Sequence, residues 1–320
     1  MKIIKNDFAT MNLVAIITLI FASPCFSASF GKWEADRVLF LGDSITHAGH
    51  YISIIETQLR QVNDNQVPEI INLGLPSETC SGLSEPDHPF PRPNVHERLD
   101  RALEKIKPDL VIACYGMNDG IYHPFNEERF HAYQAGIKKL VEKVTSSGAK
   151  IILVTPPPFD PLPLKKKGKL LPANTDKNFA WFQIYENYDA DVIARYAKWI
   201  MKQQDQVEKV IDVYHPITSF VNVKRKDDAD FVLSGDGVHI NNTGHEILAS
   251  AIWKELGLPG EIAPKPELLS LVSEKQKLMK LAWLTHVRHK RPGPNSKLTL
   301  KQAREKEAEL NRRVDELFAN

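Results

Sequence analysis

Residues 37–44 read RVLFLGDS, a short apolar run that ends in Gly-Asp-Ser. Such a run has the length of a buried parallel strand, and its glycine allows a sharp turn into a following helix. Further apolar runs lie at 69–73, 109–115, 150–155 and 207–213, and stretches with helical spacing lie at 51–60, 95–106, 130–144, 191–202 and 247–256. This alternation predicts an α/β fold in which a five-stranded parallel sheet is covered by helices on both faces.

Polar motifs follow three of the predicted strands. Gly42-Asp43-Ser44 follows the first strand, Asn72-Leu73-Gly74 the second, and Gly116-Met117-Asn118-Asp119 the third. A fourth motif, Asp236-Gly237-Val238-His239, lies between the fifth strand and the last helix of the sheet region. Ligands of open α/β sheets bind beyond the carboxyl ends of the strands, so the four motifs are predicted to meet in one site.

The residue types in these motifs are those of an acyl-transfer enzyme. Ser44 is the candidate nucleophile, His239 the base that activates it, and Asp236 the carboxylate that orients the imidazole. The backbone N–H groups of Ser44 and Gly74 and the side-chain amide of Asn118 are candidate oxyanion donors. Simpler interpretations remain, because Ser44 could cap a helix and Asp236 and Gly74 could be turn residues.

A second Asp-x-x-His occurs at Asp212 and His215. Its spacing is the same as that of Asp236 and His239, so spacing alone does not choose between the two pairs. We interpret Asp212 and His215 as the end of the fifth strand. Inactivation by loss of Asp212, with Asp236 dispensable, would show that this choice is wrong.

Taken together, the four motifs resemble those of the SGNH (GDSL) hydrolase family, over roughly residues 37–256. The first block reads GDSIT here, and Asn241 and Gly244 follow Asp236 and His239 as in the last block of that family. The resemblance implies a flavodoxin-like three-layer α/β/α fold and ester hydrolysis by Ser44, His239 and Asp236. It also implies an oxyanion hole of Ser44, Gly74 and Asn118, with no metal or cofactor.

The amino terminus has the layout of an export signal. Lys2 and Lys5 precede a 12-residue apolar stretch at 11–22, and small residues follow at Ser27-Ala28. Residues 1–27 are therefore predicted to be a signal peptide of a secreted or periplasmic protein, with a lipid anchor at Cys25 as the weaker alternative. The stretch is too short to span a membrane comfortably. A net charge of +1 gives no reason to expect nucleic-acid binding.

Two regions remain after the signal peptide: a hydrolase domain at 28–257 and a helical carboxy-terminal extension at 258–320. The extension has helical patterns at 263–283 and 299–318, separated by His289-Lys290-Arg291-Pro292-Gly293-Pro294. One apolar stripe runs along its last helix: Leu300, Ala303, Leu310, Val314 and Leu317. The stripe fits an arm that wraps the domain or a partner subunit, which would make a homo-oligomer. Whether Cys80 and Cys114 form a disulfide stays open.

Two long loops on the functional edge of the predicted sheet are expected to shape the substrate site. The loop at 156–187 carries Trp181 and Tyr185, which are candidate substrate-binding rings, and a second loop runs from 76 to 93. We expect an acylated small molecule or polysaccharide as substrate, and an O-acetyl ester of a carbohydrate above all. The alternatives are a lipase, lysophospholipase or thioesterase, or a glycan-binding module without activity.

Overall fold

The computed structural model describes residues 29–30, 33–258, 260 and 262–319. Its central sheet has five parallel strands: β1 (Arg37–Gly42), β2 (Glu69–Asn72), β3 (Leu110–Cys114), β4 (Lys150–Val154) and β5 (Lys209–Ile211). They lie in the order β2-β1-β3-β4-β5. This is the flavodoxin-like order, with its switch point between β1 and β3. The predicted α/β fold with a five-stranded parallel sheet is confirmed; the predicted signal peptide lies outside the described residues.

Helices flank the sheet. They are α1 (Ser44–Ala48), α2 (His50–Val62), α3 (Leu99–Ile106), α4 (Glu127–Ser146), α5 (Leu162–Lys166), α6 (Ala194–Met201), α7 (Tyr214–Asp227), α8 (Asn242–Glu255), α9 (Pro266–Val287) and α10 (Leu300–Glu316). Two short strand pairs, Ser29–Phe30 with Trp33–Glu34 and Leu170–Leu171 with Ile184–Tyr185, lie outside the main sheet. Within the described residues, no helix is both long and apolar enough to cross a membrane.

The central strands are apolar at almost every position because both faces of the sheet are covered. In β3 all five residues are buried, as expected for a parallel strand between two helical layers. Cys80 and Cys114 are buried free thiols, and burial raises the pKa of both. Cys80 and Cys114 therefore do not form a disulfide with each other in this structure.

The carboxy-terminal helices pack onto the domain rather than standing apart. Met279, Trp283 and Leu284 of α9 belong to the same buried core as the sheet. Leu310 and Val314 from the apolar stripe of α10 are buried against α9, in a cluster with Leu268, Leu271 and Val272. The stripe therefore has an intramolecular partner, and α9 lies beside the edge strand β2.

Several boundaries differ from the sequence predictions for local reasons. The helix predicted at 95–106 is divided into a 3-10 turn, Val95–Glu97, and α3. The helix predicted at 191–202 begins as a π-helical turn, Asp189–Ile193. Helix α7 was not predicted: its buried residues, Tyr214, Ile217 and Val221, do recur with helical spacing, but Pro216 lies among them.

Candidate active site

Ser44 and His239 meet at the carboxyl edge of the sheet, although 195 positions separate them in the chain. The Ser44 hydroxyl lies 2.8 Å from Nε2 of His239. Ser44 is the first residue of α1, while the N-cap is Asp43, whose carboxylate accepts from the Ile45 N–H at 2.9 Å. The capping interpretation of Ser44 is therefore wrong, and its side chain is left facing the cleft.

Asp236 orients the imidazole from the opposite side. Its Oδ2 lies 2.7 Å from Nδ1 of His239, and its Oδ1 accepts from the backbone N–H groups of Val238 and His239 at 2.9 and 2.8 Å. Partial burial opposes ionisation, but these hydrogen bonds hold the pKa of Asp236 well below its usual range. The same carboxylate, through its hydrogen bond, raises the pKa of His239. An imidazole of raised pKa, held in one orientation, suits a general base.

The loop that carries this pair is rigidly anchored. Gly237 has φ +80°, and a Cβ there would lie 2.3 Å from the carbonyl oxygen of Asp160, so only glycine fits. Asn241 caps α8 by accepting from the Gly244 N–H at 3.0 Å. A sharp turn followed at once by a capped helix places Asp236 and His239 on one short, well-defined segment.

The side-chain amide of Asn118 is held in place from both ends. Its Oδ1 accepts a 2.9 Å hydrogen bond from the Tyr122 hydroxyl, and its Nδ2 donates to the Glu78 carbonyl oxygen at 3.2 Å. An amide nitrogen carries two hydrogens, so one remains for a ligand. Asp119 has a structural role, because its Oδ1 accepts from the N–H groups of Cys80 and Ser81 and so ties down the neighbouring loop.

The structure does not bring Gly74 to the cleft as predicted. Its N–H donates at 2.8 Å to Oδ1 of Asn72, and its carbonyl oxygen lies 2.9 Å from Nδ1 of His47. A Cβ at Gly74 would lie 2.3 Å from the His47 nitrogen, which explains the glycine by close packing on α1. The Gly74 N–H is thus already committed and is a poor candidate for an oxyanion donor.

Ser77, which no sequence motif marks, lies where Gly74 was expected. It lines the cleft together with Ser44, Asn118 and His239. Its φ is +67°, a conformation that residues with a side chain seldom adopt and that is concentrated at functional sites. Among the described residues, no hydrogen bond from its backbone N–H is found. A glycine would have signalled this conformation in the sequence, but a serine does not.

The second Asp-x-x-His forms a pair of its own but away from the nucleophile. Nδ1 of His215 lies 2.6 Å from Oδ2 of Asp212, at the start of α7. No hydrogen bond links this pair to Ser44, and neither residue lines the cleft. Of the two pairs with identical spacing, only Asp236 and His239 reach the candidate nucleophile.

The cleft above Ser44 has a volume of about 330 Å³. Its walls come from the loop at 76–93, from Asn118 and Tyr122, from Trp181 and from Arg291 of the carboxy-terminal extension. Trp181 is 52% exposed at this rim. Tyr185, the other predicted substrate residue, is buried instead: its hydroxyl donates to Asp191 at 2.7 Å and its N–H to the Tyr122 carbonyl oxygen at 3.0 Å. In the described part of the chain, no group of three metal-ligating side chains occurs.

Comparison with known proteins places this geometry in a family. A model of the GDSL-like Lipase/Acylhydrolase family matches residues 40–247. The chain belongs to this family. As a GDSL-like hydrolase it is a carboxylic ester hydrolase, as the four motifs predicted. No curated protein sequence matches it closely enough to count as a relative.

Solved structures of low sequence identity share the fold of this GDSL-like hydrolase. A gut microbial diltiazem-metabolizing enzyme is 18% identical with a TM-score of 0.54 over 74% of this chain. The chain spans only 49% of that protein, about half its length. An α/β hydrolase enzyme from the metagenome of Lake Arreo, Spain, is 18% identical with a TM-score of 0.51, over 71% of this chain and 97% of the other.

A catalytic mutant of an acetylxylan esterase from Geobacillus stearothermophilus is also similar. It is 22% identical with a TM-score of 0.47, over 70% of this chain and 94% of that chain.

Proposed function

We propose that this GDSL-like hydrolase is an exported serine esterase that removes short acyl groups, O-acetyl above all, from carbohydrate. The observation that carries the proposal is the 2.8 Å contact between the Ser44 hydroxyl and Nε2 of His239, whose other nitrogen is held by Asp236. A serine hydroxyl becomes a useful nucleophile when a base lies within hydrogen-bond reach.

In the proposed first step, Oγ of Ser44 attacks the ester carbonyl carbon while His239 takes the hydroxyl proton. The negative charge on the carbonyl oxygen is stabilised by the backbone N–H of Ser44, the amide Nδ2 of Asn118 and the backbone N–H of Ser77. We assign the third donor to Ser77 in place of Gly74, since Ser77 lines the cleft and the Gly74 N–H already donates to Asn72.

The acyl-enzyme then forms and is hydrolysed. His239 returns its proton to the departing alcohol oxygen, which leaves the acyl group on Oγ of Ser44. A water molecule, deprotonated by His239, attacks the same carbonyl carbon and releases the carboxylic acid, and Ser44 regains its proton. Asp236 keeps its negative charge throughout and stabilises the imidazolium in both steps.

The shape of the cleft favours a small acyl group. A volume of about 330 Å³, shared with the alcohol part of the substrate, leaves little space for a long acyl chain. Exposed rings such as Trp181 offer flat apolar faces on which a sugar ring can stack. Hydrolysis of lipids or thioesters is the alternative, and a glycan-binding module without activity is disfavoured by the complete set of Ser44, His239 and Asp236.

Export follows in the proposal from the predicted signal peptide at 1–27, with the hydrolase domain at 28–257 and the helical extension at 258–320. Amino-terminal sequencing of the chain recovered from the periplasm or medium of an expressing bacterium tests this part. A recovered chain that still begins at Met1 would contradict it.

The decisive experiment compares p-nitrophenyl acetate with p-nitrophenyl octanoate and measures acetate release from a panel of acetylated polysaccharides. We expect the acetate to be the better aryl ester and at least one polysaccharide to release acetate. In Ser44→Ala we expect both activities to vanish, while His215→Ala retains them. A preference for the octanoate would favour the lipase alternative, and full activity of Ser44→Ala would refute the nucleophile.

A further inference from the structure

The loop between α9 and α10 delivers one charged side chain to the active-site cleft. Arg291 lines the cleft together with Ser44 and His239, more than 50 residues beyond the last catalytic motif in the sequence. Its Cζ lies 5.1 Å from the ring centroid of Phe90, which is itself 4.7 Å from the ring of His88. The extension therefore meets the loop at 76–93 and completes one wall of the cleft.

The charge of Arg291 has no counter-ion within the described residues. Nη1 donates at 2.6 Å to the carbonyl oxygen of Pro292, and Nε is buried without a partner. No carboxylate of the described chain forms an ion pair with it. A guanidinium remains charged at every physiological pH, so an unpaired and half-buried one strongly favours a negative ligand.

Arg92 shows the contrast within the same cleft. Its guanidinium forms a two-pronged ion pair with buried Glu85, at 2.5 and 2.7 Å, so its charge is neutralised inside the protein. The described residues that line the cleft include no aspartate or glutamate. The described lining of the cleft therefore carries the unpaired charge of Arg291 and no carboxylate of its own, and the Asp236 carboxylate behind His239 is engaged by that imidazole.

We propose that Arg291 binds an anionic group, a carboxylate or a sulfate, on the alcohol part of the ester. The substrate would then be an acylated acidic carbohydrate. Its sugar ring would pack against Trp181 or Phe90, and its carboxylate or sulfate would bind Arg291. This inference rests on the proposed function, because it assumes that a sugar ester is hydrolysed at Ser44. It gives the loop at 288–299 a role in specificity.

The test uses mono-O-acetylated methyl glycosides that differ in one group: glucuronic acid, its methyl ester, and glucose 6-sulfate. For the wild-type enzyme we expect kcat/KM to be about fivefold higher for the carboxylate or the sulfate than for the neutral methyl ester, the effect of one partly exposed charge pair. Whichever of the two anionic substrates, the carboxylate or the sulfate, has the higher kcat/KM identifies the anion that Arg291 binds. The preference should weaken as salt is added.

Variants of one loop provide the controls. In Arg291→Gln the ratio of anionic to neutral kcat/KM should fall to about one, whereas Arg291→Lys should keep most of it. Lys290→Gln, the same loss of charge at an exposed neighbour that does not line the cleft, should keep the wild-type ratio. Because each ratio is taken within one enzyme, a partly unfolded variant does not distort it.

Two results would overturn the inference: a wild-type ratio of one or less, or an Arg291→Gln enzyme that keeps the wild-type ratio. Hydrolysis of all three sugars without preference would contradict the role of Arg291 but leave the esterase proposal intact. Failure to release acetate from any of them, despite hydrolysis of p-nitrophenyl acetate, would contradict the carbohydrate substrate itself.

Discussion

The hydroxyl of Tyr122 donates a 2.9 Å hydrogen bond to Oδ1 of Asn118, four residues earlier in the same turn. Both residues are buried, and Tyr122 has φ +62°, directly after Ile121 with φ +48°. A positive φ costs conformational energy in residues other than glycine, and here two such residues follow one another. The surrounding structure must therefore hold the backbone in this conformation. The strained turn supplies a hydroxyl that fixes which end of the Asn118 amide faces the cleft.

Tyr122→Phe removes that hydroxyl and should lower kcat for p-nitrophenyl acetate by about tenfold, because a misoriented oxyanion donor loses part of the ~3–4 kcal/mol it contributes. KM should change little, since the interaction acts in the transition state. Tyr196→Phe, a buried tyrosine whose ring packs on Tyr133 instead, is the matched control and should retain wild-type kcat. Equal kcat for wild type and Tyr122→Phe would show that Asn118 needs no such support.

The choice of Ser77 over Gly74 as oxyanion donor can be tested structurally. Reaction of Ser44 with a p-nitrophenyl phosphonate should leave one phosphoryl oxygen within about 3 Å of the backbone nitrogens of Ser44 and Ser77 and of Nδ2 of Asn118. A crystal structure of this adduct measures the three distances. If the oxygen contacts the Gly74 nitrogen instead, with the bond to Asn72 broken, our assignment is wrong.

The pH dependence of kcat/KM should report His239. The imidazole acts as a base only when neutral, so activity should be lost as pH falls through its pKa. Because the Asp236 carboxylate raises this pKa, the midpoint should lie above the ordinary value of about 6.5. Asp236→Asn should move the midpoint to lower pH and reduce kcat by about 10⁴-fold. Asp212→Asn, the other Asp-x-x-His, should keep both the wild-type midpoint and rate.

Trp181 should contribute to substrate binding rather than to chemistry. Its side chain is 52% exposed at the cleft rim, so Trp181→Ala removes an apolar face without opening the core. We expect KM for an acetylated oligosaccharide to rise about tenfold, the loss of about 1.4 kcal/mol of stacking, with kcat nearly unchanged. Phe182→Ala, at an exposed ring next to it that does not line the cleft, should raise KM less than twofold. A larger rise in KM in Phe182→Ala than in Trp181→Ala would show that Phe182, and not Trp181, is the ring that binds the substrate.

The carboxy-terminal extension should contribute to the stability of the domain through a buried charge cluster. Glu56 of α2 is fully buried, accepts from Arg60 at 2.7 and 2.9 Å and from Gln276 at 2.7 Å, and is paired with Lys275 of α9. Burial alone would raise the Glu56 pKa, but Lys275 and Arg60 lower it to about 2. The contribution of ionised Glu56 to the stability of the fold is therefore fully present above the ordinary pKa of a glutamate, and it is lost as pH falls towards 2.

Removing one member of this cluster should have a large effect. Lys275→Ala should lower the free energy of unfolding by about 3 kcal/mol at neutral pH, because it leaves a buried carboxylate short of a partner. Urea unfolding measures the change. Lys277→Ala, at an exposed lysine two residues away, should alter it by less than about 0.5 kcal/mol. Equal losses in both variants would mean that the cluster is not the source of the stability.

The sheet, and the meeting of Ser44, His239 and Asp236 at its edge, could be predicted because both depend on local patterns. Apolar runs ending in Gly42 or near Asn118 mark strands and their carboxyl ends, and parallel strands bring those ends to one edge. The choice of His239 over His215 came from the residues that follow it. In the structure, His239 reaches Ser44 and His215 does not.

The rest of the site depends on features that no short pattern carries. Ser77 and Tyr122 both have positive φ values, which determine where these residues lie in the site. A glycine at such a position indicates a positive φ in the sequence, but a serine or a tyrosine does not. Gly74 was assigned to the oxyanion hole because its role in close packing against His47 is invisible before the chain is folded. Arg291 reaches the cleft only because α9 packs along the domain, a contact between segments about 200 residues apart.

The position of α9 has one more consequence, for how molecules of this protein meet each other. Strand β2 ends the sheet on one side, and an open edge of this kind offers unpaired backbone groups to a strand from another molecule. Here α9 lies beside that strand, and Nε2 of Gln276 donates to the Ile70 carbonyl oxygen at 2.9 Å. The helix thus covers an edge on which other molecules could add a strand and aggregate. A chain shortened at residue 257 would expose the unpaired edge of β2 and would be expected to aggregate, even with Ser44, His239 and Asp236 intact.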